Sequence, residues 1–485
     1  MKMVRRFKSS RLRQFFNLNF QYTIMFPIMF KFTKFLAVAI ATLLAAMVLP
    51  SSSNAGFSTS ANWQIEKREW RQSTGGYLLA TSNNRGDNVS VFVTCNAKTF
   101  SLSIGKIGNF HEGEFKEKLA TAASPCIKQS ALPTSKWVSN ISFPTSQLED
   151  GMYLIKIIDA DGFKSFIPMV IRDEASKSRA VFVVPTMTMF AYNSWSGRNT
   201  YEGTKGFEDR LRIVDFRAPF DTGFGTGKYW NYVHPLIVEI EKLGIDVDYV
   251  TDTDLHFSPD LLRNRKLYVS AGHDEYWTKA ERESVIEARK SGMNLVFLGA
   301  NAGYWQARLR QNDDKRSVKM EIYKVKKEDP DKRNPTIRFR DAGYSESELN
   351  GVQYTCFPAQ GGFDYFDKSF FGFKGMSERD FVALNKVVGP EVDETPSVNG
   401  FAGRVQVVAE GEVKCGNRWF FPKIGRVNMV YGTSSNGGGV FSVGTMGWAL
   451  HGLRSSGDTS VKKAVITVTR NVLLRGIQGP FSREK

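Results

Sequence analysis

The chain is 485 residues long, with 65 Lys+Arg against 49 Asp+Glu and a formal net charge of +16. Its 42% apolar and 24% charged content is that of globular protein, which excludes disordered and fibrous classes. Half of the excess charge sits in residues 1–55, where Lys2, Arg5, Arg6, Lys8, Arg11, Arg13, Lys31 and Lys34 occur with no Asp or Glu. Elsewhere basic residues do not interleave with aromatics along any one segment, so a nucleic-acid partner is disfavoured.

Within 1–55, Lys31 and Lys34 precede the apolar run Phe35 to Leu49, and Ser53-Asn54-Ala55 follows with small residues at the third and first positions before a cut. That is the three-part layout of a secretory signal peptide, with cleavage near Ala55 and Met25 or Met29 as an alternative start. The expectation is a periplasmic or secreted protein with no stable membrane span after cleavage. Four cysteines follow the leader, and an even count in an exported chain suggests two disulfides, most simply Cys95–Cys126 and Cys356–Cys415, although spacing alone does not decide the pairing. Four free buried thiols are the alternative.

Residues 56–175 read as short β-segments between turns. Val89–Thr94 and Thr99–Ile104 flank the turn Asn96-Ala97-Lys98, and Asp159-Ala160-Asp161-Gly162 joins two apolar runs as a hairpin. A small β-sandwich of immunoglobulin-like type is expected. Residues 176–485 alternate differently. Ala180–Pro185 is a continuous apolar run, as for a strand buried on both faces. Pro235 opens a helix with Leu236, Ile237, Ile240 and Leu243 on one face, and Asp246–Val250 and Lys266–Ser270 read as strands. Thr278 to Glu281 is a capping box for a helix reaching Lys290, and Asn294–Leu298 is a further strand. This order argues an α/β fold, a parallel sheet flanked by helices. Gly223 to Lys228 lacks P-loop spacing and reads as a flexible loop, and Lys324–Lys332 reads as a solvated charge run.

In such sheets ligands bind beyond the carboxyl ends of the strands. Three strand exits carry unusual polar content: Thr186 to Tyr201, Ala271 to Trp277 and Gly299 to Trp305. Tyr192, His273, Glu275 and Asn301 are therefore expected to converge. No GxSxG elbow, HExxH helix or CxxC pair offers a rival chemistry.

Pro185 to Asn193, Arg217-Ala218-Pro219, Gly272 to Trp277, Gly299 to Trp305 and Gly432 to Leu453 resemble the large (beta) subunit core of N,N-dimethylformamidase. The resemblance implies a class I glutamine-amidotransferase-like sheet without its cysteine, preceded by the β-sandwich. It implies an amidohydrolase acting on a C–N bond of a small-molecule amide. It further implies one mononuclear ferric iron held by Tyr192, Glu275 and Tyr153, with His273, Asn301 and Glu391 as catalytic groups beside it. Phenolate and carboxylate are hard ligands suited to iron(III), and such an ion would activate water against the amide. Another divalent metal at the same residues is a variant of this reading. A competing reading is a non-catalytic protein binding a carbohydrate or small molecule on Trp195, Trp277 and Trp305. A homo-oligomer is compatible with the sequence, which does not decide it.

Overall fold

A computed structural model describes residues 63–111, 113–416, 423–454 and 458–481. The expected leader and its cleavage point lie outside the described residues.

The N-terminal part is built from strands β1 (Gly75–Leu78), β2 (Ser82–Asn84), β3 (Asn88–Thr94), β4 (Thr99–Phe110), β5 (Gly113–Ala120), β6 (Ser124–Pro125), β7 (Ile141–Pro144), β8 (Gly151–Asp159) and β9 (Lys164–Arg172). They form two sheets, one ordered β1-β3-β7 and one ordered β2-β9-β8-β4-β5, with β6 on β4. Alternation directs Val89, Val91 and Val93 of one sheet and Leu102, Ile104, Tyr153, Ile155 and Ile167 of the other into one shared core. The Cys95–Cys126 and Cys356–Cys415 disulfides are both formed.

The remainder alternates more. It runs β10 (Ala180–Val184), α1 (Thr186–Ala191), β11 (Ile213–Asp215), α2 (Tyr229–Tyr232), α3 (His234–Glu241), β12 (Val247–Thr251), α4 (Asp252–Phe257), β13 (Leu267–Gly272), β14 (Tyr276–Thr278), α5 (Lys279–Lys290) and β15 (Asn294–Gly299). Then follow β16 (Trp305–Gln311), β17 (Val318–Glu321), α6 (Glu346–Asn350), β18 (Gln353–Cys356), β19 (Ala359–Gly361), β20 (Tyr365–Phe366), α7 (Glu378–Leu384), β21 (Val392–Glu394), β22 (Arg404–Cys415), β23 (Lys423–Thr433), β24 (Val440–Ser442) and α8 (Thr459–Gly476).

The main sheet has the order β12-β10-β13-β15-β24-β23-β22-β19, with β20 on β22. It is parallel from β12 to β24 and antiparallel from β24 to β19. The sheet is thus mixed, where the alternation in 176–300 predicts a purely parallel one. Sequence neighbours β22 and β23 pair as long antiparallel strands, which need no crossover helix. Along β10, Ala180, Phe182 and Val184 enter one core and Val181 and Val183 the other. Helices α3 and α8 pack on the first face, α5 and α6 on the second. Each such buried Val or Phe stabilises the fold by roughly 1.5–3 kcal/mol. The capping box at Thr278 and Glu281 forms, and α5 ends at Lys290. Smaller sheets, β11-β17-β16-β14 and β18-β21, lie beyond the main one.

Candidate functional site

The site is assembled where β10, β13 and β15 end. Helix α1 starts directly after β10, and Tyr192 is its C-cap. Its first turn is tied down by buried Asp252, whose carboxylate accepts from the Thr186 hydroxyl and, at 2.7 Å, from the Met187 amide. The hydroxyl of Thr188 in turn accepts from the Glu275 and Tyr276 amides at 2.9 and 3.1 Å. The exit of β13 is therefore pinned to the helix that carries Tyr192. At the next exit Gly299 pairs with Gly272, and a Cβ on Gly299 would lie 1.7 Å from the Gly272 carbonyl oxygen, so only glycine lets the two exits run side by side.

Asn301 follows in the left-handed region at φ 61°, a conformation that Asn tolerates better than most residues. Its amide donates to both oxygens of Asp393 at 2.9 and 3.1 Å, and its Nδ2 donates to Glu391 Oε2 at 2.8 Å. These contacts bring the Pro390–Glu394 segment, next to β21, over the strand exits. The sequence-predicted His273, Glu275, Asn301 and Glu391 are all buried and all present. Tyr192 Oη donates to Glu275 Oε2 at 2.7 Å, and His273 Nε2 lies 3.6 Å from the same oxygen and 3.8 Å from Glu391 Oε2. The two carboxyl groups thus face each other across one imidazole nitrogen. Neither ring nitrogen of His273, nor Asn301 Oδ1, hydrogen-bonds to a described residue.

Desolvation dominates the electrostatics. Burial, and then the Lys228 charge, holds His273 well below the ordinary histidine value. Burial, and then the neighbouring Glu275 charge, pushes Glu391 up to about 8. Asp393 is pushed up to about 7 by burial. Imidazole and Glu391 carboxyl are both moved toward their neutral forms, so their 3.8 Å approach is not an ion pair.

Two residues that the sequence reading did not single out belong here. Tyr201 donates its phenol to Glu275 Oε1, on the opposite oxygen from Tyr192, and itself accepts from Trp305 Nε1 at 2.9 Å. Lys324 is buried, with Nζ donating to Tyr276 Oη at 2.5 Å and lying 3.0 Å from the centroid of the Tyr201 ring. Burial holds its amine well below the ordinary lysine value. The solvated-face reading of Lys324–Lys332 is therefore wrong at its first residue. Above the buried polar floor, Tyr192, Tyr201, Lys228 and Trp305 are half-buried and form the rim.

The expected ferric site does not form. Among the described residues no group of three or more His, Cys, Asp and Glu could hold a metal ion. Tyr153 does not reach the strand exits: it is fully buried on β8 in the N-terminal core, with its phenol donating to the Glu149 carbonyl at 2.9 Å. The period-2 alternation of β8 directs it there. Both phenols donate to Glu275, and burial, then the Glu275 charge, pushes each well above the ordinary tyrosine value. The iron cofactor and its variant with another metal are accordingly corrected, along with the water-activation step assigned to them. The tryptophan platform of the competing reading is likewise not assembled. Trp277 is fully buried against Tyr268 and Phe297, Trp195 packs edge-on to Trp137, and Trp305 alone reaches the site.

The family described as N,N-dimethylformamidase beta subunit-like, C-terminal, matches residues 106–459. The chain belongs to this family. The match spans the exits bearing Tyr192, Glu275 and Asn301, the segment bearing Glu391, and the N-terminal part from the second half of β4 to β9. Membership in the N,N-dimethylformamidase beta subunit-like family supports a hydrolase or amidase-like function in general, with a small-molecule amide as the general substrate class. No curated protein matches the chain. Among the described residues no helix is long and apolar enough to cross a membrane.

Proposed function

We propose that this chain hydrolyses the C–N bond of a small amide by acid–base catalysis between His273 and Glu391. The observation that carries the reading is their juxtaposition: a neutral imidazole and a carboxyl group raised to about 8, 3.8 Å apart, over Glu275. Two titratable groups whose surroundings push their values apart are the usual signature of an acid and a base serving one reaction.

In this reading His273 Nε2 takes a proton from the attacking water, and Glu275, 3.6 Å away, stabilises the imidazolium that results. Tyr192 and Tyr201 hold the Glu275 carboxylate in place by donating to its two oxygens. Glu391 delivers its proton to the departing amine, which leaves poorly without one. Asn301 fixes the Glu391 carboxyl through Nδ2 and offers Oδ1 to an N–H or water of the reacting group. Both separations exceed a direct hydrogen bond, so His273 and Glu391 act on the water and the amide held beside them and not on each other.

The wider setting belongs to the same proposal. A class I glutamine-amidotransferase-like core, a β-sandwich ahead of it and export through the leader are consistent with helices on both faces of the main sheet and with two disulfides, which persist in oxidising compartments. The test is amine release from a panel of formamides, acetamides and peptide-like amides. Turnover of at least one, lowered at least about 100-fold in Glu391→Gln and His273→Ala, supports the reading. Turnover of none, or unchanged turnover in both variants, overturns it.

A further inference from the structure

Residues 222–228 read Thr-Gly-Phe-Gly-Thr-Gly-Lys, and the acid–base reading gives them no step, Lys228 entering it only as a charge that helps depress His273. They are not a loose loop. The Phe224 carbonyl accepts from the Phe166 amide at 2.7 Å and from the Ser165 hydroxyl at 3.3 Å, so the segment is hydrogen-bonded to β9 of the N-terminal domain. Gly225 sits at φ 92°, and a Cβ there would lie 2.4 Å from both the Phe166 carbonyl oxygen and the Ser165 hydroxyl oxygen. No other residue type fits without lifting the segment off the strand. Behind it, Trp230 Nε1 donates to the Gly223 carbonyl at 3.0 Å, and the Trp230 ring packs on Phe166 and Phe115 of the same domain at 5.7 and 6.0 Å. Phe224 meets Trp70 edge-on at 6.1 Å.

The segment ends in Lys228, the N-cap of α2. Its Nζ lies 3.7 Å from the centroid of the Tyr192 ring, and Tyr192 is the phenol that donates to Glu275. A cation held against an aromatic face fixes that ring where it packs. The glycine segment therefore spans from a strand of one domain to an aromatic ring of the site in the other.

We infer that the N-terminal β-domain is a working part of the site, and that Lys228 is the positioning residue through which it acts. Docking of residues 223–227 on β9 sets Lys228, Lys228 sets the Tyr192 ring, and Tyr192 sets the Glu275 carboxylate. The kinetic arm of the test rests on the acid–base reading, while the two structural arms do not.

The full, disulfide-intact chain is used throughout. In the wild type, hydrogen exchange at the Phe166 amide is expected to be at least about 100-fold slower than in an unprotected loop. Exchange at the unprotected rate overturns the docking without any variant. Acetylation of Lys228 by an N-hydroxysuccinimide ester, followed by peptide mass spectrometry, is expected to change at least about threefold in Gly225→Ala relative to Lys106, because the amine leaves its ring. An unchanged ratio in a folded Gly225→Ala protein overturns the link from β9 to Lys228. On the best amide of the panel, Lys228→Met is expected to lower kcat at least about tenfold with an unchanged melting temperature, and Lys228→Arg to recover most of it. A Lys228→Met enzyme within twofold of wild type overturns the positioning role. If no amide turns over, the acid–base reading fails by itself, and the exchange and labelling results still decide this inference.

Discussion

Asn301 and Glu391, 90 residues apart, are joined by a 2.8 Å hydrogen bond from Nδ2 to Oε2. The bond can form because Asn301 adopts φ 61° while its amide is held by Asp393. The backbone conformation and the side-chain contact can be separated by substitution. Asn301→Gly keeps the left-handed backbone and loses the contact, while Asn301→Ala loses both. We expect urea denaturation to place the alanine variant about 1 kcal/mol below the glycine variant. Equal stability of the two would show that the backbone conformation is not constrained.

Glu391 makes stability depend on pH in a direction that can be stated. Its folded value of about 8 lies above the ordinary glutamate value of 4.5. The folded state therefore binds the proton more tightly than the unfolded state. Its contribution is fully present below 4.5 and is lost as pH rises through about 8. Glu391→Gln carries no proton to lose. Relative to that variant, the wild type should melt progressively lower between pH 5 and 9, as calorimetry would show. Parallel melting curves over that range would contradict the shift.

The contact between α3 and the N-terminal part runs the other way. His234 lies 3.6 Å from Glu114 of β5 and stacks on Phe115 at 5.5 Å. Burial, with Arg454, Lys242 and Lys462 adding positive charge, holds His234 down to about 3, and burial raises Glu114. With the imidazole held neutral, the contact is not a salt bridge. With its folded value depressed from 6.5, His234 contributes stability that is present above 6.5 and lost as pH falls toward 3. His234→Phe should lose less stability than wild type between pH 6.5 and 4. Identical losses measured by chemical denaturation would remove the histidine from the account.

The disulfides close segments of 31 and 59 residues, and in the chain-entropy picture each stabilises by about 4 kcal/mol. Reduction should lower the melting temperature by about 10 °C, and replacing Cys356 and Cys415 by alanine should reproduce part of that loss. A reduced protein with an unchanged melting temperature would show that neither bond carries stability.

Much of the site was legible because its residues stand in short polar segments after apolar runs. Tyr192, His273, Glu275 and Asn301 each follow a strand readable from composition, and parallel strands place their exits together. Lys324 was hidden by its neighbours: in Lys324–Lys332 nothing local distinguishes the one lysine whose backbone, at φ 61° and hydrogen-bonded to the Thr336 carbonyl, turns it inward. Tyr201 sits on an irregular segment whose path depends on Asn199, which caps the Tyr201 and Glu202 amides. Tyr153 faces the N-terminal core instead, because a resemblance in sequence does not say which core a strand faces. The mixed character of the main sheet was missed for a related reason: β22 and β23 pair far along the chain from the regular alternation.

The central claim is that Glu391 acts as an acid facing His273. The most direct measurement is kcat against pH on the best amide of the panel, for wild type and Glu391→Gln. The account predicts a wild-type rate that falls as pH rises through about 8, and a variant at least about 100-fold slower without that alkaline limb. A Glu391→Gln enzyme that keeps both the wild-type rate and the wild-type profile would contradict it.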